Sequence, residues 1–111
     1  MGMDVFGKAP TSRTGEHFLN TIWWWHPLVR YCEDVAPEVT AACDQWRMND
    51  GDGLDAERAL MLAARLQEEL DSGRTALAAA ELAAGGCTTF SVTNVAEWVE
   101  FLRDCGGFEI R

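Results

Sequence analysis

From Leu28 onward the apolar residues recur at helical spacing, in successive stretches broken by Pro, Gly, Asn or Asp. Leu28, Tyr31, Cys32 and Val35 stand at i, i+3, i+4 and i+7, one apolar stripe of a short helix. Pro27 suits the first position of that helix, and His26 the cap just before it. Pro37 closes the helix and opens a second, which carries Val39, Ala42, Cys43 and Trp46 at the same spacing. The run Asn49-Asp50-Gly51-Asp52-Gly53 is the strongest loop signal in the chain. Asp55 is then placed to cap the longest helix, whose stripe is Ala59, Leu62, Ala63, Leu66 and Leu70 and which Gly73 ends. Residues 75–84 are nearly all Ala and Leu, predicting a short helix that packs closely through alanine and stops at Gly85-Gly86. Ser91 or Thr93 can cap a final helix reaching about Cys105. Val92, Val95, Val99 and Leu102 form its stripe, and Trp98, Phe101 and Cys105 widen it past half the circumference, so this helix should be central.

Two stretches follow a different rule. Phe18, Asn20 and Ile22 alternate with Leu19, Thr21 and Trp23 in a β-prone segment, and Phe108 and Ile110 alternate after Gly106-Gly107. A short two-stranded ribbon joining residues 18–23 to 107–110 is therefore admitted. Residues 1–15 hold three glycines, Pro10 and five hydroxyl or basic residues, with Val5 and Phe6 the only adjacent apolar pair. They read as a flexible tail. The expectation is a mainly α single domain of four to five helices over residues 16–111, with no internal repeat.

Composition sharpens this without changing it. A length of 111 residues and 48% apolar content suit one packed domain rather than a disordered chain. Acidic residues outnumber basic ones 18 to 9, and Lys8 is the only lysine. That balance argues against nucleic-acid or anionic-membrane binding, which needs clustered cations. Cys32, Cys43, Cys87 and Cys105 include no Cys-x-x-Cys pair and lie on or beside apolar stripes, so they are read as reduced, buried thiols rather than zinc ligands. With no basic and apolar leader and no run approaching a membrane span, a cytoplasmic protein is expected.

The distinctive segment is Asn20-Thr-Ile-Trp-Trp-Trp-His-Pro-Leu28. Neighbouring residues point to opposite sides of a strand or sit about 100° apart on a helix. Trp23, Trp24 and Trp25 therefore cannot share one face, and at least one ring must face differently from the others, toward a second core layer, a groove or a partner. Catalytic signatures are missing: there is no nucleophile motif, zinc-protease helix or phosphate loop. An EF-hand fails at Asn49–Ala59, because Met48 and Ala59 fall where a carboxylate and a bidentate Glu are required.

Three segments taken together, Asn20-x-x-Trp-Trp-Trp-His-Pro-Leu28, Asn49-Asp-Gly51, and Phe90-Ser-Val-x-Asn94-Val with Phe101-Leu-Arg-x-Cys-Gly-Gly-Phe108, resemble a family of small bacterial and phage-associated proteins without an assigned activity. The resemblance spans roughly residues 18 to 110. An arginine usually stands in that family where this chain has His26. What the resemblance implies is a bacterial or mobile-element origin, with no catalytic residue to transfer.

The functional expectation is a non-enzymatic interaction protein with an unidentified protein partner and no cofactor. Its candidate surface comprises Trp23, Trp24, Trp25, His26, Asn49, Asp50 and Asp52. One alternative is a small-molecule or metal-dependent enzyme using Asp50, Asp52, Asp55 and His26 in a cleft beside the tryptophans. Another is an acidic decoy of a nucleic-acid-binding protein, led by Glu97, Glu100 and Asp104.

Overall fold

The stretch with the weakest apolar signal forms the middle of the sheet. In a computed structural model describing residues 2–111, Gly2–Gly7 is strand β1, flanked on one side by β2 (His17–Thr21) and on the other by β3 (Phe108–Ile110), all antiparallel. Two expectations are thereby corrected. Residues 2–15 are not a flexible tail, and the 18–23 segment does not pair with 107–110, because β1 lies between them; Met1, part of the same expectation, lies outside the described residues. Met3 and Val5 are buried while Asp4 and Phe6 turn outward. The alternation is real but only four residues long between two glycines. Those glycines answer to close backbone approach. A Cβ on Gly7 would lie 2.0 Å from the Gly15 carbonyl oxygen, and one on Gly15 would lie 2.0 Å from that of Asp104. The connection between β1 and β2 is strapped over the end of the last helix by Ala9 N–H to the Cys105 carbonyl (3.0 Å), Thr11 N–H to that of Asp104 (2.8 Å), and Ser12 Oγ to the Asp104 carboxylate (2.7 Å).

Five helices complete the fold: α1 (Ile22–Val35), α2 (Pro37–Thr40), α3 (Ala56–Asp71), α4 (Arg74–Ala84) and α5 (Val92–Asp104), with α1 and α5 lying against the strands. Helices predominate as expected, on a sheet larger than the two-stranded ribbon. Asp55 caps α3 by accepting from Arg58 N–H at 2.8 Å, and Ser91 caps α5 by accepting from Asn94 N–H at 3.0 Å. Helix α5 is central: Trp98 meets Phe18 of β2, Trp25 of α1 and Phe108 of β3 with ring centroids 5.0 to 5.4 Å apart. Trp98 is fully buried, and its indole N–H is the one buried side-chain polar group among the described residues without a full hydrogen-bond partner. The Cys32 sulfur faces it as a soft, weak acceptor.

Three helical expectations are revised. Helix α1 begins at Ile22, directly at the end of β2, so Pro27 lies inside it and His26 is an exposed mid-helix residue rather than a cap. A proline in a helix interior removes the bond to the carbonyl four residues back, here Trp23, and pushes that carbonyl outward. The Thr89 hydroxyl donates to the orphaned oxygen at 2.7 Å. Replacing Thr89 by Val should therefore cost about 1 kcal/mol. In a Pro27→Ala background, where residue 27 regains its N–H, the same change should cost less than about 0.5 kcal/mol. Urea unfolding of the four proteins checks this, and equal losses in both backgrounds would contradict it.

The second revision concerns α2, which stops at Thr40, so the Val39-to-Trp46 stripe is not one helix. Tertiary partners take the groups that would have continued it. The Trp46 indole N–H donates to the Thr40 carbonyl at 3.0 Å, and the Asp52 carboxylate accepts from Asp44 and Gln45 N–H, both at 2.9 Å. Cys43 and Trp46 are buried all the same. Finally, α4 packs less closely than its alanines suggested. Only Thr75 is fully buried, Ala78 and Ala79 are partly so, and Leu77 is 59% exposed.

Candidate functional site

The three consecutive tryptophans occupy the first turn of α1, so successive rings fan out by about 100°. Trp25 points inward with no exposed surface; its indole N–H donates to the Trp46 carbonyl at 2.7 Å, and its ring meets Trp98 edge-on at 5.3 Å. Trp24 is half-buried and lines a shallow hollow of about 440 Å³ with Leu19, Asn20, Thr93, Asn94 and Glu97. Trp23 is 72% exposed, and Leu19 is 55% exposed. Of the expected aromatic surface, then, Trp25 belongs to the core while Trp23 and Trp24 face outward.

The hollow follows from how β2 meets α5. Phe18 and Asn20 point to the helical side of the sheet. Phe18 packs on Trp98 and Phe101, and Asn20 exchanges side-chain amide hydrogen bonds with Asn94 at 2.9 and 3.1 Å. This reciprocal pair closes the floor. Glu97, one turn further along α5, is the only charged residue in the lining.

Backbone pairing fixes which strand edge is open. Gly7 N–H donates to the Glu16 carbonyl at 3.1 Å, so the odd residues of β1 bond toward β2. Its even residues bond toward β3, as Lys8 N–H to the Gly107 carbonyl (2.8 Å) and Arg111 N–H to the Asp4 carbonyl (2.7 Å) require. In an antiparallel ladder the alternate residues of each flanking strand then face away. On β3 these are Phe108 and Ile110, whose N–H groups donate to the carbonyls of Leu54 (2.9 Å) and Asp52 (2.7 Å), while Gly51 N–H donates to the Ile110 carbonyl (2.8 Å). That edge is closed. On β2 they are His17, Leu19 and Thr21, and no described residue accepts from Leu19 N–H. That edge is open.

The outer face of the sheet carries its own cross-strand group. His17 Nε2 lies 2.8 Å from Asp4 Oδ1, the imidazole stacks on Phe6 at 4.7 Å, and the Arg111 guanidinium sits 5.1 Å from the centre of the same ring. No helix covers these residues.

The acidic loop runs along β3, with Gly51 and Asp52 bonded to Ile110. Asp52 is structural: Gln45 N–H foremost, with those of Gly53 and Asp44, holds its carboxyl below the ordinary aspartate value. A Cβ on Gly53 would lie 1.9 Å from the Phe108 carbonyl oxygen, so glycine is required where the loop closes on β3. Asn49 reaches the Gly2 carbonyl at 3.5 Å, and Asp50 is exposed. Asp55 is spent on capping α3 and pairing with Arg58. His26 is on α1. Within the expected surface, Trp23 and Trp24 stand where β2 runs into α1, Asp52 stands at the β3 edge, and Asn49 reaches the central strand at Gly2, opposite Thr21. Among the described residues no group of three or more His, Cys, Asp or Glu side chains is placed to hold a metal ion.

A cavity of about 850 Å³ lies between α1, α3 and α4 and was not foreseen from the sequence. Tyr31, Asp34, Arg65, Glu69, Arg74 and Leu82 form much of its wall. Three of its seven charged residues are paired. Arg65 pairs with Glu38 and the Val35 carbonyl, Arg74 pairs with Glu69, and the Tyr31 hydroxyl bonds Thr75 at 2.9 Å. The four cysteines are free thiols. Burial pushes Cys32 and Cys43 up to about 12, which leaves them protonated and unreactive.

Leu19, Asn20 and Asn94 are site residues that sequence reasoning did not single out as such, and Glu97 was weighed only as part of an acidic stripe with Glu100 and Asp104. Only strand order makes β2 an edge, and no local pattern encodes strand order. No family model, curated protein or solved structure matches this chain. No helix among the described residues is long and apolar enough to cross a membrane.

Proposed function

We propose that this protein is a non-enzymatic interaction module that engages a partner protein at the corner where β2 runs into α1, through Leu19, Trp23 and Trp24. The observation that carries the reading is the orientation of Trp23. A large aromatic is held 72% exposed on the first turn of a helix whose backbone is pinned there by Thr89, one residue from the hollow lined by Trp24. Rigidly presented tryptophans beside apolar surface are the residues that dominate protein interfaces. Asp52 and Asp55, the carboxylates of the acidic loop, are committed to loop closure and helix capping.

The test compares what the intact protein and Trp23→Ala/Leu19→Ser retain from a lysate of the source organism, with Met61→Ala as a control at an exposed residue of α3. A protein held by the intact chain and by the control but lost with the double variant is expected. If all three retain the same set, the corner is not the binding surface. The metal-dependent reading requires Asp52 and Asp55 to abandon their backbone partners, and nothing in the geometry favours that. The decoy reading needs a continuous acidic stripe along α5, whereas Asp104 is turned to Ser12.

A further inference from the structure

We propose that the open edge of β2 accepts an extended segment of the partner as a fourth strand, and that this segment carries an apolar residue flanked by cationic ones. The inference rests on the interaction reading above and specifies the chemistry of what binds there.

An edge strand with unpaired N–H and C=O groups is a template for another chain. Proteins that must avoid such pairing blunt the edge with lysine, proline, a bulge or a covering segment. At β3 the covering segment is present, because residues 51–54 take its outward groups. At β2 none of these devices is found. His17–Thr21 holds no lysine or proline, and its register with β1 runs unbroken from Thr21 opposite Gly2 to His17 opposite Phe6. Leu19 N–H has no acceptor among the described residues, and its carbonyl receives only the Asn20 side-chain amide, at 3.0 Å. One edge of the same small sheet is sealed and the other is left available.

Geometry then sets the pattern of the incoming segment. A residue hydrogen-bonded opposite Leu19 places its side chain on the face that Leu19 occupies, the outer one, where an apolar group extends the exposed leucine. The residues on either side point to the opposite face, toward α5. There Glu97 is the only charge in the hollow, on a chain whose net charge is −9. Cationic side chains at those two positions complement both the local carboxylate and the whole molecule. A second copy of this chain fits less well, since it would bring another net −9 to the same edge.

The probe is an acetylated, amidated heptapeptide, Thr-Lys-Val-Lys-Val-Lys-Thr, titrated to millimolar concentration into the isotope-labelled full chain. A version N-methylated at alternate backbone nitrogens serves as the control that cannot donate. Strand addition predicts saturable downfield shifts of the Leu19 and His17 amide protons and roughly tenfold slower exchange at Leu19. It also predicts no response to the N-methylated peptide, and affinity weakened about two- to five-fold by Glu97→Gln. Shifts confined to the Trp23 and Trp24 indoles, with both amides unmoved, would overturn strand addition while leaving the corner as an interaction surface. No response at either place overturns strand addition and counts against the corner as well. If the Leu19 amide moves with protein concentration alone, the occupant is a second copy and the partner-strand proposal fails.

Discussion

Deleting residues 2–7 should abolish the fold rather than trim an end. Both β2 and β3 take their ladder bonds from β1 and from no other strand. Without it, the core faces of two short strands lose Met3 and Val5, which are 2% and 0% exposed, and the sheet ceases to exist. A domain of this size holds only about 5–15 kcal/mol of net stability. A milder version of the test keeps the chain length. Val5→Asp buries a carboxylate with no cationic partner against Phe18 and Ile110, the residues opposite it on either side. That costs several kcal/mol even after the group neutralises itself by taking up a proton. Circular dichroism of both variants should show no cooperative thermal transition, or for Val5→Asp one at much lower temperature. A native-like melt for the deletion would contradict the central placement of β1.

The second large effect separates adjacent tryptophans. Trp25→Ala removes a ring that touches Trp46, Trp98 and Phe18, and it strands the Trp46 carbonyl that the indole satisfies. Truncating a buried aromatic costs about 3–5 kcal/mol, and an orphaned buried acceptor adds about 1–3 kcal/mol. That sum rivals the whole stability of a small domain. Trp23→Ala, two residues away, removes a side chain that is mostly in water and should change stability by no more than about 0.5 kcal/mol. Urea denaturation monitored by circular dichroism reads both. Comparable losses at the two positions would mean that the rings are not oriented as described.

Helical spacing and caps were legible where the pattern was long. The stripes of α3 and α5, with Asp55 and Ser91 at their starts, emerge from periodicity and capping chemistry alone, and so does the centrality of the Trp98 helix. Short or tertiary-determined features were not. Pro27 reads locally as a first helical residue. In the fold it is an interior one, and Thr89, 62 positions along the chain, supplies a donor to the carbonyl that proline leaves bare. Trp46 fits a helical stripe, yet its indole and the Asp52 carboxylate capture backbone groups that a longer α2 would have used. The alternation in β1 was present at Met3, Val5, Asp4 and Phe6 but too brief to outweigh the glycines around it, which serve close backbone contacts. For the site, the fan of the three tryptophans was foreseeable from helix geometry, including one ring turned inward. The neighbourhood of Asn49–Asp52 was not, because proximity across a sheet depends on strand order.

The claim on which the functional account depends is that the β3 edge is sealed and the β2 edge is open. Native-state amide hydrogen exchange of the isolated protein, resolved residue by residue, measures this directly. Leu19 and His17 should exchange at rates close to those of an unstructured peptide, while Phe108 and Ile110, bonded to Leu54 and Asp52, should be protected along with the central strand. Protection at Leu19 equal to that at Ile110 would show that the β2 edge is already occupied, and the account of this surface would fail.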